Sequence, residues 1–314
     1  MAEVLVVGSY NAGFSVYAER LPNAGETVLG GDFEWGPGGK GANQAIGLKR
    51  LGVDVCFAVK LGADVFGEHA RGVLEREGLP PEGVMAGRGP TGIAFIVVGP
   101  GGENQIVVAP GANLELDVAD LGLLGEDLLV SNGDGRPIAL VQLECRAELA
   151  VGVARWARER GARCVLNPAP ARPLAPEALA LFDVVTPNEA ELATLARYVG
   201  VASDEIGEQA LELTKYGIGH VVVTLGERGA LWASSEGIQF FGPYRTQVVD
   251  TTGAGDAFTA GLVAALAAGK PMAVAIDQGC RAGAFCVAHA GVIDGLATLE
   301  ELESMSSMGV MGSR

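Results

Sequence analysis

Val4-Leu5-Val6-Val7-Gly8-Ser9-Tyr10-Asn11 is a run of four apolar residues closed by a glycine turn and an asparagine. Strands of a parallel sheet are covered on both faces and read as unbroken apolar runs, whereas half-exposed strands alternate. This stretch therefore predicts a first strand buried in a parallel sheet, with helices on both faces. The same pattern recurs at 53–59, 138–143, 164–166, Val184–Val185 and 221–225, and helix-period segments intervene near 147–160, Glu189–Tyr198 and 204–216. Such alternation implies right-handed crossovers and a doubly wound, mostly parallel α/β sheet. Residues 14–35 and 91–108 break the rhythm with short alternating pieces, the latter around Gly99-Pro100-Gly101-Gly102, and predict a small β-sheet lid outside the main sheet. The last helices are expected at 257–268 and 272–288. The chain then reads as one domain over 1–303, with 304–314 a frayed tail.

A chain of 314 residues with 49% hydrophobic content and a mean hydropathy of +0.30 supplies a large core readily. Its 22 Lys and Arg against 38 Asp and Glu leave a net charge of −16, which argues against nucleic acid or an anionic membrane as partner. A polyphosphate ligand would have to be held by local devices. Cys56, Cys145, Cys164, Cys280 and Cys286 show no C-x-x-C spacing and read as reduced core residues. The apolar run 257–268 is interrupted by Thr259 and Gly261 and is too short to span a bilayer. Met1-Ala2-Glu3 leads straight into the first strand without a signal peptide, so a soluble, cytoplasmic protein is expected.

In an open α/β sheet, ligands gather at the carboxyl ends of the strands. Asn11, Glu144, Asn167, Asn188, the pair Thr224 and Gly226, and Asp250 all fall at such ends. Each alone is an ordinary turn former; six along one edge make a site. Asp250-Thr251-Thr252-Gly253-Ala254-Gly255-Asp256 is a small-residue loop ending in a carboxylate, followed at once by a helix. Backbone N–H groups and the dipole at a helix start favour a phosphate, and a carboxylate beside it can take the proton of an attacking hydroxyl. Gly36-Pro37-Gly38-Gly39-Lys40-Gly41 matches G-x-G-x-x-G formally, but it does not follow the first strand as the fingerprint of a dinucleotide-dependent dehydrogenase does. The loop instead lets a polar ligand approach Asn43 and the backbone, with Lys40 supplying a cation. Asn188 and Glu191 lie one turn apart at a helix start, where capping is the plain explanation and a water-mediated Mg2+ site the functional one. There is no Walker loop, no G-x-S-x-G elbow and no histidine at metal spacing.

Across nearly its whole length the chain resembles the ribokinase family of ATP-dependent carbohydrate kinases (phosphofructokinase-B-like). The likeness rests on Gly38-Gly39-Lys40-Gly41-Ala42-Asn43-Gln44-Ala45, the 250–256 loop, Gln142-Leu143-Glu144, Asn167-Pro168-Ala169-Pro170, Thr186-Pro187-Asn188-Glu189 and Thr224-Leu225-Gly226-Glu227-Arg228-Gly229. It implies that Asp256 is the base and that Gly253, Ala254 and Gly255 form the anion hole. It implies sugar contacts from Asn11, Gly13, Gly39, Lys40, Asn43 and Glu144, and nucleotide contacts from Asn188, Thr224, Gly226, Gly229 and Gly255. Asn188 and Glu191 would organise Mg-ATP. Asp250, Thr252, Val287 and Ala290 would frame a K+ ion. The lid strands would close over the sugar and form a homodimer. Where the family carries a sugar-gripping aspartate this chain has Gly13, and the segment 289–295 matches the family's cation site poorly. D-ribose is the expected substrate, with fructose, 2-keto-3-deoxygluconate or a nucleoside as rivals. A sugar-binding paralogue without turnover is the reading from a different class.

Overall fold

A computed structural model describes residues 2–101, 103–125, 128–130 and 135–308. Among these residues the strands are β1 (Val4–Val7), β2 (Asn11–Ala18), β3 (Gly30–Gly38), β4 (Val55–Leu61), β5 (Val84–Ala86), β6 (Gly92–Val98), β7 (Asn104–Ala109), β8 (Ile138–Gln142), β9 (Arg163–Asn167), β10 (Val184–Val185), β11 (His220–Thr224), β12 (Ala230–Ser234) and β13 (Gly237–Phe241). The helices are α1 (Lys40–Arg50), α2 (Val65–Arg76), α3 (Val118–Leu121), α4 (Ala147–Glu159), α5 (Pro176–Leu179), α6 (Glu189–Tyr198), α7 (Ile206–Thr214), α8 (Ala254–Ala267), α9 (Met272–Val287) and α10 (Leu299–Met308).

Nine strands form one sheet in the order β13-β12-β11-β10-β9-β8-β1-β4-β5. The pairs from β5 to β11 are parallel, and the β12–β13 hairpin adds an antiparallel edge. Val4 to Val7 are fully buried because the sheet is covered on both sides. Val4 and Val6 face a core with α1, α8 and α9, whereas Leu5 and Val7 face one with α4, α6 and α7. That double covering is the doubly wound α/β arrangement expected from the apolar runs. All five cysteines are free and buried. No helix among the described residues is long and apolar enough to cross a membrane.

The second sheet has the order β3-β2-β6-β7. It begins at Asn11 and ends at Ala109, so β2 starts three residues before the expected lid boundary and carries Asn11 itself. The hairpin β12–β13 and the short β5 add to the strands expected from the sequence. The expected fraying tail is helical through Met308 as part of α10; its remainder lies outside the described residues.

The register aligns the site. Val7 pairs with Val141, Gln142 with Asn167, Leu166 with Val185, and Val185 with Val221. The carboxyl ends of β1, β8, β9, β10 and β11 therefore lie along one edge, and α1 and α8 begin there.

Candidate active site

Asn11, Glu144 and Lys40 come together where α1 begins. Gly39 caps that helix with φ of 93° and no side-chain cap. A Cβ on Gly39 would fall within 2.8–3.0 Å of Asn11 N, Tyr10 Cα and Ser9 O, so only glycine lets α1 start this close to β1. Glu144 then satisfies the exposed end of the helix: its Oε2 accepts from Lys40 N at 2.9 Å, from Asn11 Nδ2 at 3.3 Å and from the Ser9 hydroxyl. Asn113 fixes Asn11 from behind, donating to its Oδ1 at 2.9 Å while bonding both backbone groups of Tyr10.

α8 begins at the second half of the site. Gly253 has φ of 82°, and no side chain caps this helix start. Gly255 is exposed, and a Cβ built on it would meet nothing within 4 Å, whereas Asp256 is buried. The open N–H end of α8 and the Asp256 carboxylate thus adjoin, an arrangement suited to an anion and a proton acceptor together. Asn43 Nδ2 donates to Asp256 Oδ2 and Gln44 Nε2 to Asp256 Oδ1, each at 2.8 Å. Both α1 residues span more than two hundred positions to reach it.

Lys40 lies among these acids. Burial alone would depress its ammonium, but Asp256, Glu144 and Glu191 outweigh that and hold its pKa above the ordinary value. Glu191 is held above the usual carboxylate range, by burial first and by Asp256 as well, against the lowering effect of the Asn188 N–H and Lys40.

Asn188 and Glu191 form a reciprocal capping box on α6: Asn188 N donates to Glu191 Oε2 at 2.8 Å and Glu191 N to Asn188 Oδ1 at 2.9 Å. Asn188 also bridges to Thr224, whose N–H donates to Pro187 O at 2.9 Å. Gly226 is exposed beyond Thr224 at φ 56°. Gly229 lies in the turn after β11. Its N–H and C=O close the turn with Gly226 and Leu225, and a Cβ there would lie 2.1 Å from Phe241 O. The end of β13 excludes a side chain at this position, while the carbonyl keeps one lone pair.

At the expected cation loop, Asp250 Oδ1 accepts from Thr252 N at 2.9 Å and Oδ2 from Gly291 N at 3.1 Å. The Val287 carbonyl already accepts from Val249 N at 2.7 Å and Asp250 N at 3.3 Å, which uses both lone pairs. Val287 is therefore a poor ligand, contrary to expectation, while Asp250 and the Thr252 carbonyl keep spare acceptor capacity. Gly13 lies on β2 between Gly36 and Ala94, with Gly36 O at 3.6 Å the nearest atom to a Cβ built there.

Reading single positions missed Gln44, Asn113 and Gln142. Each is a buried amide whose partner is remote in sequence, and only burial of a polar side chain flags it.

A doubly wound sheet whose strand ends gather a buried carboxylate at an uncapped helix start, with polar residues for a hydroxylated ligand, defines a phosphotransferase of the small-molecule kinase class. Similarity to known proteins gives the particular family: the chain belongs to the pfkB family of carbohydrate kinases, whose sequence profile matches residues 1–299. The ribokinase of Haemophilus influenzae is 34% identical over 298 residues, covering 94% of this chain and 95% of its own. Among solved structures, a ribokinase from Thermotoga maritima matches with a TM-score of 0.85 at 29% identity, covering 98% of this chain and 100% of that one. Arabidopsis thaliana ribokinase complexed with ribose and ATP matches with a TM-score of 0.83 at 28% identity, covering 97% and 98%.

Proposed function

We propose that this carbohydrate kinase transfers the γ-phosphoryl group of ATP to a primary hydroxyl of ribose. The observation that carries the reading is Asp256: a buried carboxylate at the open N-terminus of α8, aimed by Asn43 and Gln44. Asp256 takes the hydroxyl proton as the sugar oxygen bonds to the γ-phosphorus. The bond from that phosphorus to the bridging oxygen breaks, its electron pair leaves with ADP, and the proton passes to solvent after release. The N–H groups of Gly253, Ala254 and Gly255 face the charge that develops on the phosphoryl oxygens, the contribution that is usually largest. Asn11, Asn43, Lys40 and Glu144 bind sugar hydroxyls, since Glu144 concentrates its intramolecular donors on Oε2 and leaves Oε1 for the ligand. Thr224 and Gly226 line the nucleotide.

The donor set at Asn188 and Glu191 suits magnesium. One buried carboxylate and an amide, with no cluster of three His, Cys, Asp or Glu among the described residues, match an ion held mainly by phosphate oxygens and water. When bound, the metal neutralises β- and γ-phosphate charge. Asp250, the Thr252 carbonyl and Ala290 are the remaining donors for a potassium ion. The second sheet acts as a lid, and its closure excludes water that would otherwise attack ATP. Its Phe33, Trp35, Phe95 and Val107 share one face by register and stay exposed by 44–70%, which supports a homodimer through this sheet. A cytoplasmic location accords with five unpaired cysteines.

ADP release from Mg-ATP against ribose, deoxyribose, fructose, 2-keto-3-deoxygluconate and adenosine, with Asp256→Asn as blank, tests the reading. Ribose-driven turnover lost by roughly 10²-fold or more in the blank supports it; retained turnover in Asp256→Asn removes the assigned base. Silence with every sugar while ATP still binds would favour the binding-only paralogue.

A further inference from the structure

Behind Asp256 lies a chain of amides with one consistent polarity. The Thr186 carbonyl can only accept, so Asn167 must turn its Nδ2 toward it, at 2.8 Å, and its Oδ1 toward Gln44. Gln44 Nε2 donates to that Oδ1 at 3.0 Å and to Asp256 Oδ1 at 2.8 Å. Gln44 Oε1 in turn accepts from Gln142 Nε2 at 2.6 Å. The members come from α1, β8, β9, the β10–α6 loop and α8, and none exceeds 6% exposure. Gln44 itself is fully buried, so Asp256 Oδ1 faces the protein interior. Oδ2 is held by Asn43, the residue one position earlier at the mouth of α1.

From this geometry we infer that Gln44 is a positioning residue which reserves Asp256 Oδ1 for the interior and thereby makes Oδ2 the oxygen that receives the substrate proton. The inference rests on the kinase reading above for the identity of the proton donor, but the arrangement of Asp256 does not. A carboxylate free to turn about its last torsion would offer either oxygen in several directions; one anchored to a buried amide offers a single one. The chain Gln142–Gln44–Asn167–Thr186 stops Gln44 from flipping, because a flipped amide would set oxygen against both Asp256 and Asn167.

Two variants separate positioning from packing. Gln44→Glu is nearly isosteric and places a carboxyl group against Asp256 Oδ1; Gln44→Met fills the space without donating. The other groups acting on Asp256 are Lys40 on α1, Glu191 on α6 and Cys286 on α9, and both variants leave them in place. For Gln44→Met, kcat should fall roughly tenfold or more while KM for sugar and ATP stays within about twofold. For Gln44→Glu the acid limb of the kcat/KM profile should move up by about one pH unit or more, because two adjacent carboxyls cannot both ionise freely. Carboxyl carbon NMR of Asp256, identified by its absence in Asp256→Asn, reads the same upward move without any turnover. No upward titration in the carboxyl pair of Asp256 and the introduced glutamate, or unchanged kcat in folded Gln44→Met, overturns the inference. A wild-type enzyme silent with every sugar but an Asp256 midpoint raised in Gln44→Glu would overturn the kinase reading and leave the positioning intact.

Discussion

Gly255→Ala separates what the start of α8 does for folding from what it does for catalysis. Gly255 is the second residue of the helix, it is exposed, and a Cβ there meets nothing within 4 Å. Alanine should therefore stabilise the helix by about 0.5–1 kcal/mol, because the unfolded chain loses the freedom of glycine. At about 2–4 °C per kcal/mol for a large domain, Tm should rise by about 1–4 °C. In the proposed mechanism the same methyl group occupies the open surface where the phosphoryl oxygens approach the N–H groups. Displacing a single donor of an anion hole costs roughly 10²–10³ in kcat, so a loss of at least about tenfold is expected even if the ligand shifts to recover some contact. Gly253→Ala is the contrasting substitution. Its φ of 82° costs about 1–2 kcal/mol for a residue with a side chain, and its Cβ would sit 2.8 Å from Val292 Cγ1, so Tm and activity should fall together. Differential scanning fluorimetry and coupled ADP release on the three proteins decide the matter. Full activity in Gly255→Ala would mean that the phosphoryl group does not sit at this helix start. A Tm lowered by several degrees would mean that the glycine serves the fold after all.

Gly13→Asp has room for its Cβ, since Gly36 O at 3.6 Å is an ordinary contact, and the new carboxylate should reach a ribose hydroxyl. A charge-assisted bond of about 1.5–3 kcal/mol corresponds to a KM for ribose lowered by roughly 10–100-fold; an unchanged KM means that this wall does not face the hydroxyls. Glu191→Gln tests the raised carboxyl. A carboxyl whose folded pKa is raised binds protons better in the native state, so its contribution to stability is lost as pH rises from the ordinary glutamate value through the raised one. Glutamine keeps the capping box, so the variant should melt higher than the parent near about pH 8, with the gap closing toward about pH 4; a gap constant with pH would contradict this. Replacing potassium by sodium should lower kcat if Asp250 and Thr252 hold a monovalent ion, and equal rates in the two salts would remove that site.

Much of this is legible in the residues alone, and the reason is local. Asn11, Glu144, Asn188 and Thr224 stand at or just after the ends of apolar runs, and a parallel sheet must bring such positions to one edge. Gly253 to Asp256 can be read because an anion site at a helix start is a backbone device encoded within a few residues. Gln44 cannot be read in its role, because its three partners Asp256, Asn167 and Gln142 lie 212, 123 and 98 positions away and meet only when α1 packs on the sheet edge. Gly229 is ambiguous in sequence for the opposite reason. A glycine in a turn can serve a ligand, a neighbouring strand or both, and only the structure shows the Phe241 carbonyl 2.1 Å from where a Cβ would stand. The β12–β13 hairpin escapes because the rhythm of strand and helix preceding it suggests that the parallel order continues.

The electrostatics of Lys40 link the two substrates. This chain carries a net charge of −16 and still has to receive a triphosphate. Lys40 keeps its proton despite burial because Asp256, Glu144 and Glu191 surround it from α8, the end of β8 and α6. In the function proposed above, those acids are the base, a sugar ligand and the metal neighbour. The single ammonium offsets the charge of three acids at once, and they still outnumber it. A bare triphosphate would meet net repulsion there, strengthened by the low dielectric of a buried cleft. A neutral sugar would not, and it would also displace water from the same carboxylates. Nucleotide binding should then depend on divalent cation far more steeply than sugar binding does, and calorimetric titration of each ligand with and without magnesium would expose the difference. Equal affinity for ATP in both conditions would show that the α8 N–H groups and Lys40 suffice by themselves, and that Glu191 serves α6 as a cap rather than the nucleotide.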